Sequence, residues 1–224
     1  MSLRHEHKHI ISYADRCLLR TRLSAVMKVD RNALQNGTYK IRSLYFDNVY
    51  DKALREKIDG VNIREKFRLR YYNGDLSYIC LEKKSKINGL CRKESAVVTK
   101  EEVSAILNGD IAWMKNSDRQ LLTELYSKMQ SEGLLPRTIV DYTREAFTFS
   151  AGNVRVTFDY DVRTGIRNTD FLNPDSATIP VRNSGIILEV KWDEFLPDVI
   201  RSALQLGTSR RQAYSKYAAC RMFG

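Results

Sequence analysis

Apolar and polar residues alternate along several stretches of the chain, and this pattern predicts the strands of a sheet. In 63–72 the odd positions are largely apolar, with Phe67, Leu69 and Tyr71 as the clearest members. Turn pairs at Asn73-Gly74 and Asn88-Gly89 predict a meander of hairpins. The predicted strands are a short opening strand, Tyr39–Asp47, Ile63–Tyr72, Leu76–Ile87, Leu90–Val98, Ile139–Ser150, Asn153–Asp161 and Gly185–Trp192.

Other stretches carry helical spacing of apolar residues. Thr99 followed three residues later by Glu102 is typical of a capping box, which predicts a helix running to Leu107. The polar stretch 165–184, with two prolines, predicts an irregular crossing. The remaining predicted helices are Asp15–Lys28, Val49–Lys57, Asp118–Gln130, Pro197–Leu206 and Arg210–Met222. The expected fold class is α+β, an antiparallel sheet with covering helices, in a single domain over residues 1–224.

Charge changes this picture, because 37 Lys and Arg residues against 27 Asp and Glu residues give a net charge of +10. Such an excess favours a polyanionic partner: nucleic acid, phosphates or an anionic membrane. No stretch approaches the roughly 18 apolar residues of a transmembrane helix, so no membrane span is expected. The first ten residues lack the apolar core of a signal peptide, which predicts a cytoplasmic protein whose four cysteines are reduced.

The even positions of the run 63–71 are all basic, and because side chains alternate along a strand these four cations share one face. Seen alone, they could be the solvated face of a half-buried sheet. Other predicted strands repeat the pattern, which favours one polar and mostly cationic surface. Its members are Arg64, Lys66, Arg68, Arg70, Glu82, Lys84, Lys86, Arg155, Thr157, Asp159, Glu189 and Lys191.

Turn positions predict which of these side chains face each other. A two-residue turn at Asn88-Gly89 sets Lys84 opposite Lys93, a pairing of like charges that an anion between them would stabilise, unless the lysines splay into water. The hairpin at Asn73-Gly74 is expected to place Arg68 beside Cys80 and Arg64 beside Lys84. Around Ala151-Gly152, Arg144 faces Asp159, so Asp159 is interpreted as its ion-pair partner and not as a metal ligand.

Carboxylates within a basic surface are natural anchors for a divalent metal, and phosphoryl transfer needs mainly positioning, charge neutralisation and such a metal. The candidates are Glu6, Glu82 and Glu189, each with the alternative role of a simple ion-pair partner. The sequence contains no nucleophile triad, P-loop or dinucleotide-binding motif. The alternating histidines at 5, 7 and 9 are interpreted as surface or core residues.

Several motifs, taken in order along nearly the whole chain, resemble the catalytic domain of the vacuolar transporter chaperone proteins. That domain is a polyphosphate polymerase of the CYTH-like, or triphosphate tunnel metalloenzyme, superfamily. The motifs are R-H-E-H-K (4–8), S-L-Y-F-D-N (43–48), R-E-K-F-R-L-R-Y-Y (64–72), L-E-K-K (81–84), R-V-T-F-D (155–159), I-L-E-V-K (187–191) and S-K-Y (215–217).

The resemblance implies an eight-stranded antiparallel β-tunnel, transfer of the γ-phosphate of ATP or another nucleoside triphosphate onto inorganic polyphosphate, and a Mn²⁺ or Mg²⁺ cofactor. By motif, Glu189 would hold the metal, while Ser215 and Lys216 would contact phosphate from the last helix. The catalytic candidates are Arg68, Arg70, Lys84 and Arg155. The substrate-binding candidates are Lys8, Arg64, Lys66, Lys93, Lys191, Ser215 and Lys216, and the metal candidates are Glu189, Glu82 and Glu6.

One position departs from the superfamily pattern. Hydrolases and cyclases of the superfamily usually begin with Glu-x-Glu-x-Lys, whereas Arg4 stands at the first Glu position here. This change favours the polymerase branch over hydrolysis of triphosphate or polyphosphate, which stays an alternative. A non-catalytic polyphosphate-binding module is a third hypothesis. Specific nucleic-acid binding ranks last, because few aromatic side chains are interleaved on the basic face.

Overall fold

The structure, a computed structural model, describes residues 4–87, 90–182, 184–205 and 214–222. Within them the chain forms ten strands and six α-helices. The strands are β1 (His5–Ile11), β2 (Lys28–Val29), β3 (Thr38–Asp47), β4 (Ile63–Tyr72), β5 (Asp75–Ile87), β6 (Leu90–Val98), β7 (Leu135–Phe149), β8 (Val154–Thr164), β9 (Ile179–Pro180) and β10 (Ile186–Trp192). The helices are α1 (Tyr13–Val26), α2 (Lys52–Ile58), α3 (Lys100–Leu107), α4 (Gln120–Glu132), α5 (Asp198–Ala203) and α6 (Lys216–Arg221).

The main sheet runs in the order β1-β10-β8-β7-β3-β4-β5-β6, with β2 paired to β7 and β9 paired to β8. The expected α+β class with an eight-stranded antiparallel sheet is therefore confirmed. Thr99 and Glu102 form the predicted capping box at the start of α3. None of the helices in the described ranges combines the length and apolar character needed to cross a bilayer.

Some predicted boundaries differ from the structure. The last two helices are shorter than expected, at Asp198–Ala203 and Lys216–Arg221, and the predicted segment 206–213 lies outside the described residues. The turn Asn88-Gly89 also lies outside them. The loop 165–184 is irregular as expected, apart from β9.

The chain divides into two compact units. The first unit contains Met1–Lys40, Tyr142–Val162 and Arg182–Tyr214, and the second contains Ile41–Asp141, Arg163–Val181 and Ser215–Gly224. The expectation of a single domain over the whole chain stays a prediction.

The core of the second unit explains which face of β4 and β5 carries the polar groups. Phe67 and Leu69 of β4 and Leu81 of β5 are buried against apolar residues of α3 and α4, among them Val103 and Leu122. Since side chains alternate, Arg68, Arg70 and Glu82 must lie on the opposite face of these strands.

The first unit is built in the same way. Leu19 and Leu23 of α1 pack on Phe158 of β8 and on Leu188 and Val190 of β10. The alternate positions, Thr157 and Glu189 among them, therefore project from the face away from α1.

The predicted pairing of β4 with β5 was wrong by two residues. Arg68 lies opposite Glu82 instead of Cys80, and Arg64 lies opposite Lys86 instead of Lys84. The connection is a two-residue turn in which Asn73 and Gly74 have φ values of 53° and 76°, as hairpin turns with two left-handed residues require. Beyond Arg70 the register shifts, because β5 advances by five residues while β4 advances by two. The predicted and observed pairings of Arg64 and Arg68 differ by two residues, and because this number is even each side chain stays on its predicted face.

Candidate functional site

In the second unit, the basic face of β4 is not an ordinary solvated surface. Arg70 is only 5% exposed, and its Nε donates to Ser43 Oγ at 3.2 Å. Arg68 is half-buried and binds Glu82 through two nitrogens, Nε at 2.7 Å and Nη2 at 2.6 Å from Oε2. Buried cations of this kind require anions close by.

Glu82 supplies only part of that negative charge. It is 4% exposed, and its two oxygens contact three cations: Oε2 meets Arg68 and lies 3.6 Å from Arg70, while Oε1 lies 2.5 Å from Lys93 Nζ. Burial would raise the pKa of Glu82, but these three positive charges outweigh burial and hold the pKa well below its usual range. One carboxylate thus contacts three cations at once.

Three lysines lie side by side on β4, β5 and β6. Lys66 of β4 lies opposite Lys84 of β5, and Lys84 lies opposite Lys93 of β6, which confirms the predicted Lys84–Lys93 pairing. Like charges on adjacent strands are unfavourable without a counterion. This lysine row (Lys66, Lys84 and Lys93) and the Arg68–Arg70–Glu82 group together form what we call the β4–β6 cluster.

Tyr45 is a member of this cluster that the sequence analysis missed. It lies opposite Arg68 on β3, and its hydroxyl oxygen accepts a hydrogen bond of 2.8 Å from Arg68 Nη1. Burial would raise the pKa of Tyr45, but the charges of Arg68, Lys66 and Arg70 outweigh it and lower the pKa to about 7. Ser43 and Tyr45 alternate on β3, so they share one face of that strand. This spacing indicates a place beside the basic residues of β4 only when the pairing of β3 with β4 is known.

Contacts with Tyr45 and Asp47 hold the start of α6 against β3. The rings of Tyr45 and Tyr217 stack with centroids 5.0 Å apart, and Tyr217 donates a 2.6 Å hydrogen bond to Asp47 Oδ2. Ser215 caps α6, with its Oγ accepting from the Ala218 backbone N–H at 3.3 Å, and Lys216 follows as the first helical residue. The S-K-Y motif is thereby fixed to β3 through its tyrosine.

In the first unit, strands β1 and β10 bring two lysines and two glutamates together. Lys8 pairs with Glu189 and Glu6 pairs with Lys191 in the strand register. Lys8 Nζ lies 2.5 Å from Glu6 and 3.9 Å from Glu189, while Lys191 Nζ lies 2.8 Å from Glu189 and 3.7 Å from Glu6. Burial lowers the pKa of Lys8, but Glu189 and Glu6 outweigh burial and raise it.

The predicted pairing of Arg144 with Asp159 is confirmed as a bidentate ion pair. Arg144 Nε and Nη2 lie 2.6 Å and 2.7 Å from the two oxygens of Asp159, which is fully buried. Nη2 also lies 3.9 Å from Glu189. Burial lowers the pKa of Arg144, but Asp159 and the neighbouring acidic groups outweigh it and raise the pKa. The sequence analysis treated Arg144 only as the partner of Asp159, so its approach to Glu189 is new. We call these residues (Glu6, Lys8, Arg144, Asp159, Glu189 and Lys191) the β1–β10 cluster.

Two other predicted residues have local partners. Arg155 lies opposite Lys191, where its guanidinium contacts Asp30 at 2.5 Å and donates to the Tyr39 hydroxyl at 2.7 Å. Arg64 lies at the start of β4, and its guanidinium donates to the Val61 carbonyl. Of the histidines, His5 stacks on Trp192 and His7 meets the same ring edge-on, in keeping with a packing role.

The three candidate metal ligands differ in how well they fit a divalent ion. Mg²⁺ and Mn²⁺ take oxygen ligands, and such an ion is commonly held by one or two carboxylates together with substrate phosphates. Glu6 and Glu189 fit, since both contact the same two lysines and present oxygens there. The Thr157 hydroxyl, opposite Glu189 in the register, is buried and has no hydrogen-bond partner among the residues that the structure describes. Glu82 fits less well, since it meets the three cations Arg68, Arg70 and Lys93, whereas Glu6 and Glu189 bring two carboxylates to the same place. Within the described ranges, no group of three or more His, Cys, Asp or Glu side chains forms a ready metal cage.

Comparisons with known proteins agree with this architecture. The VTC domain family matches residues 3–223. Among solved structures, a Bacillus halodurans protein described as a "putative adenylate cyclase" is similar, with 12% identity, a TM-score of 0.50 and coverage of 90% of this chain and 86% of that one. The PH1819 protein of Pyrococcus horikoshii OT3 is also similar, with 14% identity, a TM-score of 0.47 and coverage of 94% and 95%. Among curated proteins, no match to the sequence is found.

Proposed function

Since the chain belongs to the VTC domain family and has the expected tunnel fold class, we propose that it is a polyphosphate polymerase. It would transfer the γ-phosphate of ATP, or of another nucleoside triphosphate, onto a growing inorganic polyphosphate chain with the help of Mn²⁺ or Mg²⁺. The single-domain organisation and the cytoplasmic location expected from the sequence belong to the same proposal.

The observation that carries the proposal is the gathering of five cations on adjacent strands in the β4–β6 cluster. Arg68, Arg70 and Lys93 share one buried carboxylate, and the lysine row adds two further cations opposite each other. A phosphate chain carries about one negative charge per phosphate and would bind such a group of cations without any base recognition. Arginine guanidinium groups bind phosphate oxygens through paired hydrogen bonds.

In the proposed reaction, the terminal oxygen of the polyphosphate chain attacks the γ-phosphorus of the nucleotide. A new phosphorus–oxygen bond forms, the bond to the β-phosphate oxygen breaks, and the nucleoside diphosphate leaves. The attacking terminal phosphate is already an anion, so no protein base has to remove a proton from it. We propose that Arg68, Arg70 and Lys84 of the second unit hold phosphates and offset the charge on the transferred oxygens. Arg155 of the first unit is proposed as a further catalytic residue.

The β1–β10 cluster is proposed to serve the metal. Glu189 and Glu6 would hold a Mn²⁺ or Mg²⁺ ion, which supplies charge neutralisation at the phosphate oxygens when bound. Lys8 and Lys191 contact the same carboxylates and are proposed to bind phosphate beside the metal site. Ser215 and Lys216 remain candidates for a further phosphate contact in the second unit.

The test is incubation of the purified protein with ATP and Mn²⁺, with products resolved on a gel stained for polyphosphate and with ADP and free phosphate assayed in parallel. Long chains with stoichiometric ADP are expected. Lys84→Gln and Glu189→Gln should abolish or strongly reduce them.

Two control variants are matched to these changes. Arg92→Gln removes a positive charge from the other face of β6, and Glu194→Gln removes an exposed carboxylate just after β10. Both should retain activity. Free phosphate without chains would instead indicate a hydrolase, and tight polyphosphate binding without any turnover would indicate a binding module.

A further inference from the structure

Tyr45 occupies an unusual position for a tyrosine in a basic cluster. Its side chain is buried, with 3% of the residue exposed, yet its hydroxyl oxygen is bound to a guanidinium group. The Tyr217 ring stacks on one side of it at an interplanar angle of 27°. The ring is therefore held in one orientation, and the hydroxyl group is aimed at Arg68.

The charged groups around Tyr45 come from several elements. On β4, the Lys66 ammonium lies 5.4 Å and the Arg68 guanidinium 5.6 Å from the ring centroid, and the charge of Arg70 also acts on the hydroxyl group. Glu82 on β5 binds Arg68, which donates to the Tyr45 hydroxyl group. Asp47 accepts a hydrogen bond from Tyr217, whose ring stacks on Tyr45. The groups that act directly on Tyr45 are cations.

We propose that Tyr45 is a positioning residue for phosphate binding: its hydroxyl oxygen orients the Arg68 guanidinium, and that oxygen takes up a proton when a phosphate chain binds the β4–β6 cluster. The inference rests on the proposed function in so far as it assumes that phosphate binds there. It adds a residue with a defined role and a proton that accompanies binding.

The physical reason is competition for the same cations. In the ligand-free protein, the positive charges beside Tyr45 stabilise the ionised oxygen, and the pKa of about 7 leaves it half ionised at neutral pH. A phosphate anion at Arg68 and Lys66 places negative charge next to that oxygen, which favours protonation by a proton from solvent. The resulting neutral hydroxyl group still accepts from Arg68 and gains a hydrogen that it can donate.

The first experiment needs no ligand. Ionised tyrosine is followed by its ultraviolet absorbance as the pH of the wild-type protein is raised through neutrality. One tyrosine should titrate with a pKa of about 7, and this step should be missing from Tyr45→Phe but present in Tyr13→Phe, which removes an exposed tyrosine at the start of α1. Absence of the neutral step from the folded wild type overturns the inference.

A second variant protects this test against a folding defect in Tyr45→Phe. Lys66→Gln removes one of the three cations and keeps the hydroxyl group, so the neutral step should move to higher pH. An unmoved step would show that it belongs to another tyrosine and would overturn the assignment.

The second experiment adds tripolyphosphate, measured by calorimetry in buffers of different ionisation enthalpy. At neutral pH the wild type should take up about half a proton more than Tyr45→Phe on binding, given a free pKa of about 7. At about pH 6, where the Tyr45 hydroxyl group is largely neutral and does not compete with phosphate for the cations, Tyr45→Phe should bind roughly tenfold more weakly, because the hydrogen bond that orients Arg68 is lost.

The outcomes separate the two proposals. Binding by both proteins with equal proton uptake overturns the role of Tyr45 and leaves the proposed function standing. No binding of tripolyphosphate by the wild type overturns both, even if the ligand-free titration is observed as expected.

Discussion

The two clusters use the same types of side chain in different balance. In the β1–β10 cluster, three carboxylates (Glu6, Asp159 and Glu189) accompany three cations (Lys8, Arg144 and Lys191) within contact distances. In the β4–β6 cluster, Glu82 contacts Arg68, Arg70 and Lys93 beside a row of facing lysines. Under the proposed function, the neighbouring carboxylates of the first cluster suit a metal ion and the gathered cations of the second suit phosphate, so we propose that the two clusters differ in the ligand that they mainly bind.

The largest effect on stability is expected from Asp159→Asn, which removes one negative charge from the β1–β10 cluster. It leaves the partly buried Arg144 guanidinium without its bidentate partner, the fully buried Asp159 carboxylate, and breaking a buried ion pair costs about 3–5 kcal/mol. Urea unfolding should show this as a lower midpoint. Asp161→Asn, an exposed position two residues further along β8, is the control and should unfold almost as the wild type does. Equal midpoints for all three proteins would contradict the argument.

Glu82→Gln removes the carboxylate that Arg68, Arg70 and Lys93 share in the β4–β6 cluster. Loss of the carboxylate leaves three cations without their shared partner, and partial exposure of Lys93 and Arg68 limits the expected cost to about 2 kcal/mol. The same change should strengthen tripolyphosphate binding, because a phosphate can take the place of Glu82. Thermal unfolding with and without tripolyphosphate measures both effects, and weaker binding by Glu82→Gln would show that the carboxylate positions the cations instead of competing with phosphate.

The pH dependence of stability provides an independent reading of Glu82. Its pKa in the folded protein lies below the unfolded value, so its stabilising contribution is present above the unfolded pKa and is lost as the pH falls toward the folded pKa. Wild-type stability should therefore fall in acid by more than the stability of Glu82→Gln. Parallel acid unfolding curves for the two proteins would contradict this contribution.

Mn²⁺ binding sharpens the division between the clusters. Glu189→Gln should lower the affinity for Mn²⁺ by about tenfold or more, because one charged oxygen ligand is lost, while Glu82→Gln should leave it nearly unchanged. Electron paramagnetic resonance of free Mn²⁺ measures the affinity directly and does not depend on turnover. A loss in Glu82→Gln with no loss in Glu189→Gln would reverse the assignment.

The smallest expected effect comes from exchanging single charges on β6. Lys93→Gln should weaken tripolyphosphate binding a few-fold and reduce the dependence of affinity on salt, whereas Arg92→Gln, on the other face of the same strand, should do neither. Binding isotherms at several salt concentrations distinguish the two variants. Identical shifts would indicate a general effect of net charge and not a site.

Local chemistry made much of the fold and part of the site predictable. The alternation in β4 and the capping box before α3 depend on neighbouring residues, and so did the Lys84–Lys93 and Arg144–Asp159 pairings, which follow from nearby turns. The Arg68–Glu82 pairing did not follow, because the extra residues of β5 near the Asn73-Gly74 turn leave no mark in the alternation. The Tyr45–Tyr217 stack joins residues far apart in sequence, and no spacing rule connects them.

The hydrogen bond between Asp47 and Tyr217 spans 170 residues of sequence, and this separation has a consequence for synthesis. A chain that leaves the ribosome from its amino terminus exposes β3, β4 and β5 long before Tyr217 exists. The stack on Tyr45, and with it the full support of Arg68, can form only when α6 has emerged. A nascent chain can thus bury much of the core of the second unit early and yet complete the surroundings of Tyr45 and Arg68 only after residue 217 has emerged.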